Sequence, residues 1–117
     1  MKKDRAVSAL TALAQENRLD VFRLLVQAGP DGMPAGHVAE ALDLAPNNLT
    51  FHFDRLRDAG LVTVRRDGRS MIYAARFETM NDLLAFLTEN CCQGVPEACA
   101  PAATCKPVRG KRAKVLA

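Results

Sequence analysis

Apolar residues recur along this chain at helical spacing, with glycine and proline as regular punctuation. Residues 5–14 (RAVSALTALA) bring Val7, Leu10, Leu13 and Ala14 close to one face and predict a short first helix. Residues 16–28 hold Leu19, Phe22, Leu24, Leu25 and Val26 and end at Gly29-Pro30, a pair that stops a helix. Asp31-Gly32-Met33-Pro34 reads as a turn, with Pro34 suited to the first position of a helix over 34–43. Pro46 opens another helix, which runs to Ala59-Gly60. Two short helices joined by a tight turn, 34–43 and 46–59, make the helix-turn-helix pattern. Directly behind it, the β-rich runs 61–66 and 69–73 flank Asp67-Gly68 and predict a hairpin. A last helix is expected over 79–90, where Met80, Leu83, Leu84, Phe86 and Leu87 cover a wide apolar face. The fold class that follows is mainly α with a small β-hairpin, a winged helix-turn-helix.

At about 100° per residue, Leu49, Phe53 and Leu56 share one stripe of the second helix and point inward. Asn47, Thr50, Phe51 and Asp54 face the other way, with Asn48 and Arg55 on a flank. These are base-reading chemistries: Asn bonds adenine bidentately, Thr donates or accepts, and Phe touches a thymine methyl. His52 lies at the border of the core stripe, so a packing role and a DNA contact are both open. Arg65, Arg66 and Arg69 cluster at the hairpin tip, placed to reach phosphates or the minor groove. The candidate DNA-binding set is therefore Asn47, Asn48, Thr50, Phe51, His52, Arg55, Arg65, Arg66 and Arg69, with double-stranded operator DNA as the partner.

A chain of 117 residues fits one domain with a modest core. No apolar run approaches the roughly 20 residues that span a bilayer, so no membrane association is expected. The start, Met1-Lys2-Lys3-Asp4-Arg5, lacks the apolar stretch of a signal peptide, which points to the cytoplasm. The net charge of +3 is unevenly placed. Residues 1–105 hold eleven bases against thirteen acids, −2, whereas Lys106, Arg109, Lys111, Arg112 and Lys114 give the end of the chain +5. The expected organisation is a DNA-binding and dimerisation domain over 1–92 and a basic, cysteine-containing, flexible tail over 93–117.

In a reducing compartment, cysteines read as ligands or reactive groups before they read as disulfides. Cys91 and Cys92 are neighbours, Cys99 follows closely, and Cys105 is an optional further thiol. Soft thiolates select thiophilic ions, and three sulfurs suit a trivalent pyramidal centre. On an intact helix Cys91 and Cys92 would diverge by about 100°, but Gly94 and Pro96 end the helix there and let the backbone turn both inward. A thiol redox protein is the competing class; it would want Cys-x-x-Cys or a lone activated Cys with a base, and neither stands beside Cys91. With no phosphate loop and no evident catalytic set around either His, an enzyme is not expected. The first and last helices are both rich in apolar positions for so short a chain, which makes Val7, Leu10, Met80, Leu83, Leu84 and Leu87 a candidate homodimer interface.

Four segments carry a resemblance to a known family: LAQENRLDVFRLL at 13–25, LTFHFDRLRDAGLV at 49–62, RRDGRSMIY at 65–73 and LLAFLTENCCQGVPEAC at 83–99. The chain resembles the ArsR/SmtB repressors, and its arsenic-responsive branch in particular. That resemblance implies a winged-helix homodimer that binds its operator alone and releases it when As(III) or Sb(III) binds cysteine thiolates. Methylated As(III), or a soft divalent metal such as Cd or Pb, is the alternative inducer. Three features depart from the family pattern. Positions 33–38 read MPAGHV where the founding arsenic site has a Cys-x-Cys pair, residues 76–90 lack the histidines of the zinc branch, and Ala45 stands where a Ser or Thr cap is usual.

Overall fold

Alanine, not the larger aliphatics, makes the inner face of the first helix. The computed structural model describes residues 1–94. In it α1 (Lys3–Leu13) buries Ala6, Ala9 and Ala12 and leaves Val7 and Leu10 outside. The small face lets α1 lie close on α2 (Glu16–Ala28) and α4 (Pro46–Asp58). Gln15 caps α2 by accepting the Arg18 backbone N–H at 3.0 Å, and Gly29, at φ +87, ends it with its N–H returned to Leu25 and Val26. The core is aliphatic and helical, with Val21, Leu25, Val38, Leu56 and Leu61 fully buried. Each such side chain contributes about 1.5–3 kcal/mol by leaving water.

Pro34 does not open a helix. Met33–Pro34 form a two-residue strand, β1, and α3 spans Ala35–Leu42. The strand pairs antiparallel with β3 (Ser70–Ala75), Met33 opposite Tyr73 and Pro34 opposite Ile72. β2 (Val62–Asp67) pairs on the other side of β3, so the sheet order is β1-β3-β2. Gly32, at φ +75, makes this edge possible, because a Cβ there would collide with the Tyr73 carbonyl oxygen. The hairpin loop is Gly68-Arg69, with Asp67 paired to Ser70. Positive φ at Gly68 (+64) but not at Arg69 is the pattern of a type II′ turn.

Between α3 and α4, Asp43 adopts φ +55 and the Leu44 N–H returns to the Ala39 carbonyl at 3.0 Å. That left-handed cap closes α3 and turns the chain sharply into α4. Ala45 gives α4 no side-chain cap, and Pro46 at the start has no N–H to satisfy. The last helix, α5, runs over Phe77–Leu87, two residues earlier at its start than the periodicity suggested. The observed architecture is a winged helix-turn-helix, mostly helical with a small three-stranded antiparallel sheet.

Phe53 of α4 stacks on Tyr73 of β3, ring centroids 3.6 Å apart and planes within 4°. Phe53→Ala should therefore lower the free energy of unfolding by about 3–5 kcal/mol, as for other buried aromatics cut to Ala, measured by urea titration. A loss below about 1 kcal/mol would mean that α4 is held by other contacts.

Candidate functional site

The exposed face of α4 presents Asn47, Asn48, Thr50, Phe51, Asp54 and Arg55. Leu49, His52, Phe53 and Leu56 turn inward and fix that face outward. Phe51 is 54% exposed, a large apolar ring held in solvent. Arg55 lies over it, guanidinium carbon 5.3 Å from the ring centroid, and also bridges Asp58 at 3.2 Å. Both contacts steer the guanidinium along the helix surface, although an exposed pair of this kind adds only about 0–1 kcal/mol. Thr50 Oγ1 donates to the Pro46 carbonyl at 3.0 Å, which leaves its lone pairs as acceptors. The first-turn N–H groups of α4 have no side-chain cap, the state in which a helix start can take a phosphate oxygen.

The wing carries Arg65, Arg66 and Arg69, all exposed. Arg66 and Arg69 stand at the end of the hairpin, and Arg66 Nε donates to the Gly68 carbonyl at 3.4 Å. Reading face and wing thus present polar, aromatic and cationic groups from adjacent elements, the combination that contacts base edges and phosphates.

His52 belongs elsewhere. It is 8% exposed and turned towards Arg18, with the Phe51 ring edge-on beside it, which takes it off the exposed face that would meet bases. The border position on the helical wheel is resolved by Arg18, a residue that the sequence pattern did not single out. Arg18 Nη1 approaches His52 Nδ1 at 3.4 Å, and its Nε donates to the Ala12 carbonyl at 2.7 Å. Desolvation by burial pulls the His52 pKa below its ordinary 6.5, and the Arg18 charge pulls in the same direction.

Past α5 the backbone reverses. Asn90, Cys92 and Gln93 have φ of 57, 56 and 48, and Gly94 has φ +80. Three non-glycine residues in the left-handed region store strain, of order 1–3 kcal/mol each. Cys91 and Cys92 therefore sit in a tight turn and not on the helix, both half-buried. Cys99 and Cys105 lie outside the described residues, as does the rest of the expected 93–117 tail beyond Gly94.

Of the candidate interface residues, Val7, Leu10, Leu84 and Leu87 are exposed and Met80 is half-buried. Leu83, 6% exposed, is part of the chain's own core instead. Beside it an apolar groove of about 310 Å³ opens between α1, α2 and α5, lined by Leu13, Leu19, Phe22, Met80 and Leu84 among others. Among the described residues no helix is long and apolar enough to cross a membrane.

Residues 13–65 match a helix-turn-helix domain family. The uncharacterized HTH-type transcriptional regulator YceK of Bacillus subtilis is 33% identical over 73 residues, 62% of this chain and 72% of that protein. An ArsR-like transcriptional regulator from Rhodococcus sp. RHA1 superposes with a TM-score of 0.62 at 25% identity, covering 72% of this chain and 76% of that one. The homodimeric winged helix-turn-helix domain Mb0332 of Mycobacterium bovis, a possible ArsR-family regulator, gives a TM-score of 0.61 at 26% identity, covering 73% and 76%. Fold, exposed reading face and these likenesses define a DNA-binding transcriptional regulator. More narrowly, the chain belongs to the HTH-type transcriptional regulators, and its winged-helix fold is similar to that of ArsR-like regulators. The relatives are regulators and not enzymes.

The lowered His52 pKa has a consequence for stability. The folded protein binds the His52 proton less tightly than the unfolded chain, so the contribution is complete above pH 6.5 and is lost as pH falls towards the folded value. The free energy of unfolding should decline below pH 6.5 more steeply in the wild type than in His52→Asn. Parallel stability curves for the two proteins would show that His52 does not titrate in a buried site.

Proposed function

We propose that the protein is a metalloid-responsive repressor of the cytoplasm, which binds operator DNA as a homodimer and releases it when As(III) or Sb(III) binds cysteine thiolates. The observation that carries this reading is the turn after α5. Vicinal thiols on a continuous helix diverge, whereas Cys91 and Cys92 lie in a chain reversal made by Cys92, Gln93 and Gly94 in the left-handed region. Soft ligands next to each other in such a turn fit a thiophilic centre, with Cys99 as the third sulfur and Cys105 as an optional one. Within the same reading, methylated As(III), or Cd or Pb, is the alternative inducer.

Dimerisation links the two sites. Val7 and Leu10 on α1 and Leu84 and Leu87 on α5 are apolar and exposed, on two helices that pack against each other. A two-fold pairing through these helices buries them and sets two α4 helices at a fixed spacing for paired half-sites. Closing Cys91, Cys92 and Cys99 on one centre constrains the chain immediately after α5. A shift of α5 then alters the spacing of the readers without dissociating the dimer. A coupling of only about 1–3 kcal/mol is enough for a switch.

Three outcomes follow. Cys91→Ser or Cys92→Ser should bind the operator normally in a gel shift and no longer release it with arsenite; wild-type release by either variant sinks the thiol assignment. Asn47→Ala and Thr50→Ala should each cost about 1–3 kcal/mol on operator DNA and relax specificity, whereas Arg65→Ala or Arg69→Ala should weaken all sequences and flatten the salt dependence. Equal losses on random and operator DNA for all four would remove α4 as the reader. Leu87→Glu should sediment as a folded monomer with weak operator binding; Leu83 is not a clean probe, because it is buried in the protomer.

A further inference from the structure

Arg18 reaches from the first turn of α2 into the seam between α1 and α4. Its Nε donates to the Ala12 carbonyl at the end of α1, 2.7 Å away, while Nη1 lies 3.4 Å from His52 Nδ1 on α4. Its own N–H is held by the Gln15 side chain at 3.0 Å. One planar guanidinium carried by α2 therefore links α1 and α4, and its donors have a fixed fork geometry, so the directions to Ala12 and His52 are locked together. α1 offers this seam the alanines Ala6, Ala9 and Ala12. Small side chains pack closely but interlock little, so the angle between α1 and α4 needs a directional contact. α1 also carries the exposed Val7 and Leu10, and α4 carries the reading face.

We infer that Arg18 is a positioning residue for DNA reading, fixing the angle of α4 on α1 through the Ala12 carbonyl and His52 Nδ1. This rests on α4 being the reading helix. The contact has a built-in proton dependence. Nδ1 accepts from Arg18 only in the neutral imidazole with its proton on Nε2; the imidazolium has no acceptor and faces a second cation. The charged groups around the seam are Arg18 from α2 and, on α4 itself, Arg55 and Asp58, which are engaged with each other at 3.2 Å. α1 presents Ser8 and Thr11 there, both uncharged. Burial and the Arg18 charge both disfavour a protonated His52, in keeping with the downward displacement of its pKa. Protonation breaks the link and releases the angle of α4, while the folded core remains.

The test uses the full chain, its own upstream DNA, and fluorescence anisotropy between pH 5.5 and 8. Wild-type affinity should fall by roughly 3- to 10-fold on the acid side of pH 6.5, the scale of one hydrogen bond. His52→Asn, whose amide oxygen takes the place of Nδ1, should give a flat profile. His37→Asn should keep the wild-type profile, since His37 is exposed on α3. Arg18→Met, which keeps the aliphatic stem, should bind weakly at pH 7.5 and show no pH dependence. Identical profiles for wild type and His52→Asn overturn the inference, as does wild-type affinity in Arg18→Met. Should Arg18→Met fail to fold, the His52→Asn comparison still decides. Failure of the reading-helix assignment is distinct: Asn47→Ala would then leave operator affinity unchanged at pH 7.5.

Discussion

The stacking of Phe53 on Tyr73 is the contact on which the rest of the DNA-facing surface depends. The two rings lie nearly parallel at 3.6 Å, one on α4 and the other at the centre of the sheet. Because α4 is pinned by this ring together with Leu49 and Leu56, its opposite face must point outward with Asn47, Thr50 and Phe51. Because Tyr73 stands on β3, the same contact sets the distance from the reading face to the wing that follows in β2 and β3. Gly32 completes the arrangement by letting β1 approach Tyr73 where any side chain would meet its carbonyl.

A second constraint divides the apolar residues between inside and outside. α1 satisfies the core with alanines and keeps Val7 and Leu10 on its outer side. α5 buries Leu83 and exposes Leu84 and Leu87. Large aliphatics left in water on adjacent helices cost solvation free energy unless something covers them. The Mb0332 domain, similar in fold, is homodimeric, and in the proposed function a second copy of this chain covers those residues.

Much of this was legible in the sequence because the helices are amphipathic and sharply punctuated. Gly29-Pro30, Pro46 and Gly60 fall at or beside observed boundaries, and the stripe of Leu49, Phe53 and Leu56 is buried as its spacing requires. The misses have physical causes. A two-residue strand such as Met33–Pro34 has no periodicity to detect, and only its partner on β3 defines it. In α1 the alanine inner face was not singled out, because close helix approach and not side-chain size places Ala6, Ala9 and Ala12 there. The hairpin loop sits one residue later than Asp67-Gly68 because the pairing register, set by burial along β3, decides between adjacent turns. His52 was ambiguous on the helical wheel because its place depends on Arg18, 34 residues away. The reversal at Cys92 and Gln93 was foreshadowed by Gly94, but the positive φ of the two residues before it was not.

In the proposed function, thiols after α5 and a reader on α4 are energetically coupled through the helices between them. Coupling of this kind is reciprocal: whatever factor the inducer takes from DNA affinity, DNA must take from inducer affinity. The most direct test is arsenite binding to the full chain with and without saturating operator DNA, set beside operator binding with and without saturating arsenite. The two ratios should agree, at roughly 5- to 150-fold. Arsenite bound with the same affinity by free and DNA-bound protein would contradict the account, however tightly the cysteines hold it.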